Sequence, residues 1–312
     1  MYASDRRHSI AMIRRRQPQV PLDPPPIAGV SRSRVGARGV DFHVTEAGPA
    51  DGLPVLALHG WPQHHYEWRD LLADPPEGLR IIAPDLPGYG WSGPPPHRWQ
   101  KEQVASDVLA LIDQMGVERT LLVGHDWGGV VGHLLALREP ERFSAYLALN
   151  IVHPWQTART MAPHLWRFLL YQPAIAAFGV WLQQDTEFPY RAIRGSLIDR
   201  SRVSREDVHW FSDRFRDPVC ARAGQDTYRT FWLEELPAAA RRPETRRSSV
   251  PTRALFGVDD RAIHCSLASA RNTRANDYTL ELVADCGHFI ADERPDIVRE
   301  RLVAMAAEFP PR

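Results

Sequence analysis

One acidic residue stands where an apolar strand meets a helix. The apolar run at residues 121–123 leads directly into Gly-His-Asp-Trp-Gly at 124–128, and a helical pattern follows. Glycines on both sides of an acid allow a tight strand-to-helix turn that projects its side chain. The N-terminus of a helix carries partial positive charge, which keeps a carboxylate ionised. The pattern predicts that Asp126 is a carboxylate nucleophile; an aspartate that only caps the helix is the alternative.

Two later strands each end near a titratable residue. One is followed by Asp259 and Asp260, and the other by His288. A nucleophile, an acid and a histidine thus occur in an order that suits a triad, in which the acid orients the histidine as a base. Asp126, one of the two later aspartates and His288 are therefore the candidate catalytic residues.

The elements that must hold these residues alternate between strand and helix. Continuous apolar runs are typical of strands buried on both faces, and one-faced apolar patterns are typical of the helices that cover them. The strand-like runs lie at residues 54–60, 80–85, 121–123, 143–149, 252–257 and 278–283, and the helical patterns at 101–115, 127–137 and 295–307. The alternation predicts an α/β fold with a mostly parallel central sheet flanked by helices.

The alternation stops after residue 153. Residues 153–248 are rich in Trp, Phe, Arg and Pro and contain helical patches without a clear buried strand. We predict that they form a helical cap inserted into a core of residues 34–152 and 249–312. Residues 1–33 are rich in Arg and Pro and have no periodicity, so they are predicted to form a flexible arm.

Composition argues against several classes of partner. The 312 residues carry 38 Lys+Arg and 38 Asp+Glu, so no net charge favours nucleic acid. Three cysteines without metal or redox spacing, and no apolar leader, predict a reducing, cytoplasmic location. No uninterrupted apolar run approaches the length of a transmembrane helix, so none is expected. We expect neither a metal nor a cofactor, and a homodimer is compatible with the sequence.

These motifs resemble the α/β-hydrolase family and, within it, the epoxide hydrolases. The resemblance covers about residues 35–309. The His-Gly-Trp-Pro run at 59–62 resembles the family's H-G-x-P oxyanion motif, and residues 85–90 resemble its D-x-P-G-Y-G loop. Residues 124–129 resemble its G-H-D-W-G-G turn around the nucleophile. The implied fold is the α/β-hydrolase fold with an inserted helical cap.

The resemblance also implies a role for residues around the candidate nucleophile. The family's G-x-x-D pattern selects Asp260, rather than Asp259, as the acid that orients His288. The two motifs around the nucleophile converge in this family, so the backbone N–H groups of Trp61 and Trp127 are expected to form the oxyanion hole.

Two cap tyrosines donate to the epoxide oxygen in this family. The matching contexts here are those of Tyr171 and Tyr228, and Tyr190 is the fallback. A phenol is acidic enough to protonate a developing alkoxide and yet stays protonated at neutral pH. The implied reaction converts an apolar or aromatic epoxide and water to a vicinal diol through an ester on Asp126.

Two other functions remain open on the sequence. Haloalkane dehalogenases share the aspartate nucleophile, and Trp127 would suit them as a donor to the departing halide. They usually need a second donor, often Asn where Trp61 stands, although a cap tryptophan such as Trp155, Trp166 or Trp181 could replace it. A non-catalytic ligand-binding relative is the third hypothesis, which the complete triad disfavours.

Overall fold

The computed structural model describes residues 20–310, and these contain a sheet of eight strands. The strands are β1 (Ser31–Ala37), β2 (Val40–Ala47), β3 (Leu53–Leu58), β4 (Leu79–Pro84), β5 (Thr120–His125), β6 (Phe143–Leu149), β7 (Thr252–Gly257) and β8 (Tyr278–Val283). Their order across the sheet is β1-β2-β4-β3-β5-β6-β7-β8. β2 is antiparallel to both of its neighbours, and all other neighbouring pairs are parallel. The predicted, mostly parallel α/β sheet is confirmed.

The helices of the described residues fall into a group before β6, a large group between β6 and β7, and a group at the C-terminal end. They are α1 (Arg69–Ala73), α2 (Lys101–Gln114), α3 (Asp126–Arg138), α4 (Ala158–Met161), α5 (Leu165–Leu169), α6 (Gln172–Asp185), α7 (Phe188–Ser196), α8 (Arg205–Arg214), α9 (Pro218–Thr230), α10 (Leu236–Arg241), α11 (Ile290–Glu293) and α12 (Pro295–Glu308).

The central strands are buried on both faces. In β5, Leu122 points into one apolar cluster, whereas Leu121 and Val123 point into a second. In β3, Leu56 belongs to the first cluster and Val55 to the second. Successive side chains of a strand alternate between its faces, so a strand covered on both sides must be apolar throughout. This arrangement explains the continuous apolar runs in the sequence and fixes the strand ends that carry the candidate site.

The region between β6 and β7 is helical, and it contacts the loops that follow the strands. The predicted cap, residues 153–248, encloses α4 to α10. From this region, Gln183 accepts a hydrogen bond from the indole of Trp61, and Thr227 shares one with Tyr89 at 2.6 Å. The helical insertion therefore lies against the carboxyl ends of the parallel strands. Its division from the core as a separate domain stays a prediction.

The N-terminal arm needs a correction at its end. Residues 1–19 of the predicted arm, 1–33, lie outside the described residues. Residues 31–33 belong to β1, in which Ser31 pairs with Glu46. The alternating Ser-Arg-Ser-Arg of this edge strand is exposed on both faces, so no apolar periodicity announces it.

One stretch of the described chain is long and apolar enough, by length and composition alone, to cross a membrane. It runs from Ala158 to Asp185 and reaches a mean hydropathy of 1.2. A count of uninterrupted apolar residues misses it because arginines at 159 and 167 break the run. The stretch is not one regular helix, because the backbone leaves helical geometry at Tyr171 and at Phe178.

Candidate active site

Asp126 lies at the junction of β5 and α3, where the chain turns sharply. Its φ of 47° falls in the left-handed region, which costs free energy for a residue other than glycine. Gly128 permits the close packing of this turn, since a Cβ there would lie 2.3 Å from the carbonyl oxygen of His59. The predicted turn is present, and it holds the Asp126 carboxylate at the carboxyl end of the sheet.

The loop after β3 comes close to this carboxylate. The backbone N–H of Trp61 donates a hydrogen bond of 3.0 Å to Oδ2 of Asp126. Gly60 makes the approach possible, because a Cβ there would lie 2.5 Å from Cβ of Asp126. Trp127 follows Asp126 directly at the start of α3. Of the two predicted oxyanion donors, the one at Trp61 is already bonded to the carboxylate.

His288, in the loop after β8, faces both Asp126 and Asp260. Its Nδ1 lies 2.8 Å from Oδ2 of Asp260, and its Nε2 lies 3.8 Å from Oδ1 of Asp126. The other oxygen of Asp260 accepts hydrogen bonds from the backbone N–H groups of Ala262 and Ile263, at 2.7 and 2.9 Å. A fixed carboxylate at Nδ1 keeps a proton on that nitrogen and leaves Nε2 to act as a base.

The two neighbouring acids after β7 have different surroundings. Asp260 is buried and reaches His288, whereas Asp259 is exposed to solvent. Burial favours the neutral carboxyl of Asp260, but the charge of His288 outweighs it, so the pKa is lowered. Burial likewise opposes protonation of His288, but the charges of Asp260 and then Asp126 outweigh it and raise its pKa.

Tyr171 and Tyr228 reach the site from the helical insertion. The ring centroid of Trp61 lies 6.5 Å from that of Tyr171 and 5.4 Å from that of Tyr228. The ring of Trp127 also lies 5.4 Å from that of Tyr228. Burial raises the pKa of both phenols, and the nearby charge of Asp126 raises it further. Both tyrosines therefore remain protonated hydrogen-bond donors at neutral pH.

A family model of the alpha/beta hydrolase fold matches residues 54–295 of the chain. The chain belongs to the α/β-hydrolase fold family. The match begins in β3 and ends at the first residue of α12, so Asp126, Asp260 and His288 all lie inside it.

Relatives of this α/β hydrolase include proteins named as epoxide hydrolases. The AB hydrolase superfamily protein YfhM of Bacillus subtilis is 29% identical to it, covering 88% of this chain and 97% of that protein. The soluble epoxide hydrolase of a Corynebacterium species is 27% identical, covering 83% and 91%. The crystal structure of epoxide hydrolase VrEH1 from Vigna radiata matches with a TM-score of 0.73 at 23% identity, covering 91% of this chain and 100% of that one. The last likeness shows the shared fold.

Asn150 of this α/β hydrolase lies beside the triad, and sequence reasoning did not identify it. It follows β6, with a φ of 41°. Its Nδ2 donates to Oδ2 of Asp260 at 2.8 Å and to the carbonyl oxygen of Gly287 at 3.0 Å. Its Oδ1 accepts from the backbone N–H of Gly257 at 3.2 Å. Asn150 therefore ties the acid to the loop that carries His288.

Lys101, the only lysine in the sequence of this α/β hydrolase, was not predicted to lie near the site. It is buried, and its Nζ lies 4.5 Å from the ring centroid of Trp127 and 2.8 Å from Oε2 of Glu235. Burial lowers the pKa of the ammonium to about 8, although Glu235 opposes the shift. The side chain joins the N-terminus of α2 to the helical insertion behind Trp127.

Tyr190, the fallback tyrosine, packs elsewhere in this α/β hydrolase. Its ring lies 4.7 Å from that of His209, and it belongs to a small apolar cluster with Ile193 and Phe211. The cluster also contains Phe289, which follows His288, but none of Asp126, Asp260 and His288. The structure thus brings Tyr171 and Tyr228 to the site and leaves Tyr190 outside it.

One group of metal-type ligands occurs among the described residues. It consists of His43, His65 and Asp85, whose ligand atoms lie within 4.8 Å of one another. Both imidazoles contact the Asp85 carboxylate through Nδ1, at 2.9 and 2.8 Å. The carboxylate also accepts from the backbone N–H groups of His65 and Trp91. With two partners on each oxygen, Asp85 fits a structural hydrogen-bonding centre better than a metal ligand.

Proposed function

We propose that this α/β hydrolase converts an epoxide and water to a vicinal diol through a covalent ester on Asp126. The observation that carries the proposal is the pair of buried tyrosines, Tyr171 and Tyr228, whose rings pack against Trp61, the residue whose backbone N–H binds the Asp126 carboxylate. Hydrogen-bond donors opposite a carboxylate suit a reaction in which the leaving oxygen stays on the substrate. The aromatic surroundings favour an apolar or aromatic epoxide.

In the first step, Oδ1 of Asp126 attacks an epoxide carbon and the ring C–O bond breaks. One of the two phenols gives its proton to the leaving oxygen and becomes a phenolate, so the product of this step is a hydroxyalkyl ester. Oδ2 becomes the ester carbonyl oxygen. It already accepts the N–H of Trp61, which places a donor where the next negative charge develops.

In the second step, Nε2 of His288 takes a proton from water, and the hydroxide adds to the ester carbon of Asp126. The tetrahedral oxyanion forms at Oδ2, and its collapse breaks the bond to the product alkoxide. The new carboxyl proton passes to that alkoxide and completes the diol. The imidazolium proton returns to the phenolate, which regenerates the starting enzyme and accounts for every proton.

A haloalkane dehalogenase is less well supported. Trp61 stands at the position of the usual second halide donor. Its indole N–H already donates a hydrogen bond of 2.8 Å to Oε1 of Gln183. Among the substitutes considered, the indole of Trp155 donates to a backbone carbonyl. Trp166 and Trp181 are exposed on the surface. A halide would therefore have Trp127 as its main donor.

Trapping of the ester tests the proposal. His288→Gln should react once with a styrene-like epoxide and then stall, because attack on the epoxide does not need the base. Intact-mass analysis should show the added substrate mass, and Asp126→Ala should show none. His209→Gln, an exposed histidine of the insertion, is the matched control and should turn over normally. Reaction with matched haloalkanes but no epoxide would overturn the proposal in favour of dehalogenation.

A further inference from the structure

Glu67 and His125 form a buried charged pair that no step of the reaction above uses. Neither residue is exposed beyond 1% of its surface. Nδ1 of His125 lies 3.1 Å from Oε1 of Glu67, as an ion-pair contact rather than a well-aligned hydrogen bond. Burying two charged groups is costly unless each is matched by a partner. The cost of burying this pair indicates that it has a role that apolar residues at these positions could not perform.

The pair contacts three segments of the candidate site. Oε2 of Glu67 accepts the backbone N–H of Gly60, at 3.3 Å, in the loop that carries Trp61. His125 is the residue immediately before Asp126. Its Nε2 donates to the carbonyl oxygen of His288 at 2.8 Å. The oxyanion loop, the nucleophile and the base are thus linked through two side chains.

The surroundings of His125 require protons on both ring nitrogens. Nε2 faces a carbonyl oxygen and Nδ1 faces a carboxylate oxygen, and both of these groups are acceptors. Burial opposes protonation of this ring, but Glu67 outweighs it and raises the pKa of His125 to about 9. The ring is therefore an imidazolium at neutral pH.

This imidazolium lies close to the base. The ring centroids of His125 and His288 are 5.0 Å apart. Asp260 and Asp126 favour a proton on His288, whereas the charge of His125 disfavours it. Asp126 also favours the proton on His125, and Asp292 acts on Glu67. The charge of His125 in turn disfavours a proton on His59, whose pKa burial lowers to about 4. Among the charged groups that act on His288, His125 is the one that disfavours its proton, and it partly offsets the two carboxylates.

We propose that Glu67 and His125 are positioning residues, which hold a positive charge behind the nucleophile and so favour the unprotonated form of His288, the form that acts as a base. The inference rests on the proposed function, since it assigns His288 the hydrolysis of the ester. Glu67 supplies the counter-charge that makes the buried imidazolium stable. His125 carries that charge to the base and fixes the loop of His288 through its carbonyl.

Glu67→Gln is the decisive variant because the amide can keep the contacts without the charge. Its oxygen can accept the N–H of Gly60, and its NH₂ can donate to Nδ1 of a neutral His125, which still donates to His288. Loss of a charge about 5 Å away, offset by loss of its counter-charge, should raise the pKa of His288 by about 0.5 to 1 unit. The acid limb of ester hydrolysis should move to higher pH by the same amount.

Two measurements separate this inference from the proposed function. An NMR titration of the His288 ring in the substrate-free protein reports its pKa whether or not the protein acts on epoxides. Single-turnover ester hydrolysis as a function of pH then reports the limb. A shifted titration without epoxide turnover would retain the inference and remove the proposed function. Epoxide turnover with an unshifted titration in Glu67→Gln would do the reverse.

Asp107→Asn is the matched control. Asp107 is also a buried carboxylate paired with an imidazole, that of His97 at 2.8 Å. The side chains that it contacts, His97 and Arg38, are outside the triad. Asp107→Asn should lower the melting temperature without moving the acid limb of ester hydrolysis. His125→Gln should shift the acid limb in the same direction as Glu67→Gln, and the double variant should shift it no further. His125→Gln therefore also tests the inference if Glu67→Gln does not fold. A lower melting temperature with an unmoved acid limb in Glu67→Gln, His125→Gln and the double variant would overturn the inference.

Discussion

Nε2 of His288 lies 3.8 Å from Oδ1 of Asp126, beyond hydrogen-bond distance, while Oδ2 of the same carboxylate is bonded to the N–H of Trp61. The two oxygens of the Asp126 carboxylate are thus in different environments. Oδ1 is free to attack a substrate carbon, and Oδ2 is held where an oxyanion can be stabilised. The base stands close to the carboxylate without being tied to it, which suits a histidine that activates water.

The negative charge of Asp126 should contribute measurably to the titration of His288. Asp126 contributes to the raised pKa of this imidazole, and the ester intermediate has no charge at that position. Asp126→Asn imitates the neutral ester, so its His288 should titrate at lower pH than in the wild type. The base is then unprotonated over a wider range during ester hydrolysis. NMR titration of both proteins checks this, with exposed Asp259→Asn as the control; an equal or higher pKa in Asp126→Asn would contradict it.

Asp260→Asn should impair ester hydrolysis by about 100-fold or more, since general-base catalysis is worth about that much. The amide cannot stabilise the imidazolium that forms on His288, nor hold the same tautomer. Asp259→Asn should change the rate little, because Asp259 is exposed and Asp260 makes the 2.8 Å contact. Stopped-flow measurement of ester decay compares the two. A larger loss at Asp259 would show that the acid has been misassigned.

Local patterns predicted the parts of the fold and site that depend on neighbouring residues. The strand-to-helix turn at Asp126 and the alternating elements follow from glycine positions and from apolar periodicity. β1 was missed because its Ser-Arg-Ser-Arg sequence is polar on both faces at the sheet edge. Its register depends on Glu46 and other residues of β2, which no local pattern specifies.

Residues that act across long sequence separations could not be found in this way. Asn150 contacts Asp260, 110 positions later, and His125 contacts the backbone of His288, 163 positions later. Asn150 has an ordinary sequence context, and His125 was quoted only as part of the turn around Asp126. Only the packing of β5, β6, β7 and β8 side by side brings the partners together. A polar residue at the end of a buried parallel strand, or directly after it, is the one available signal, because such residues gather at one edge of the sheet.

The two tyrosines should act together in opening the ring. Tyr171→Phe or Tyr228→Phe alone leaves one donor for the epoxide oxygen, whereas the double variant leaves none. A hydrogen bond to a developing charge contributes about 1.5–3 kcal/mol, so each single change should slow ester formation by about 10- to 150-fold. The double change should nearly abolish it. Tyr190→Phe is the control, and rapid single-turnover ester formation in the double variant would exclude both phenols.

Asn150→Asp should separate the orientation of the acid from its presence. The change keeps the shape of the side chain but replaces an amide donor, 2.8 Å from Oδ2 of Asp260, with a second carboxyl group. Two carboxylates this close cannot both ionise readily, so one of them should have a raised pKa. At low pH the shared proton restores a hydrogen bond. As pH rises through that pKa, the carboxylates repel each other and the folded state loses stability, because the unfolded state ionises more easily.

The melting temperature of Asn150→Asp, relative to the wild type, should therefore fall further at pH 8 than at pH 5. Ester hydrolysis should slow in parallel, because repulsion moves Asp260 away from Nδ1 of His288. Ester formation should be largely retained, since Asp126 and the tyrosines are unchanged. Asn276→Asp, an exposed position beside Arg247, should show no such widening deficit. A deficit that is constant with pH would mean that Asn150 only fills space, and that the amide donor has no electrostatic part in holding the acid.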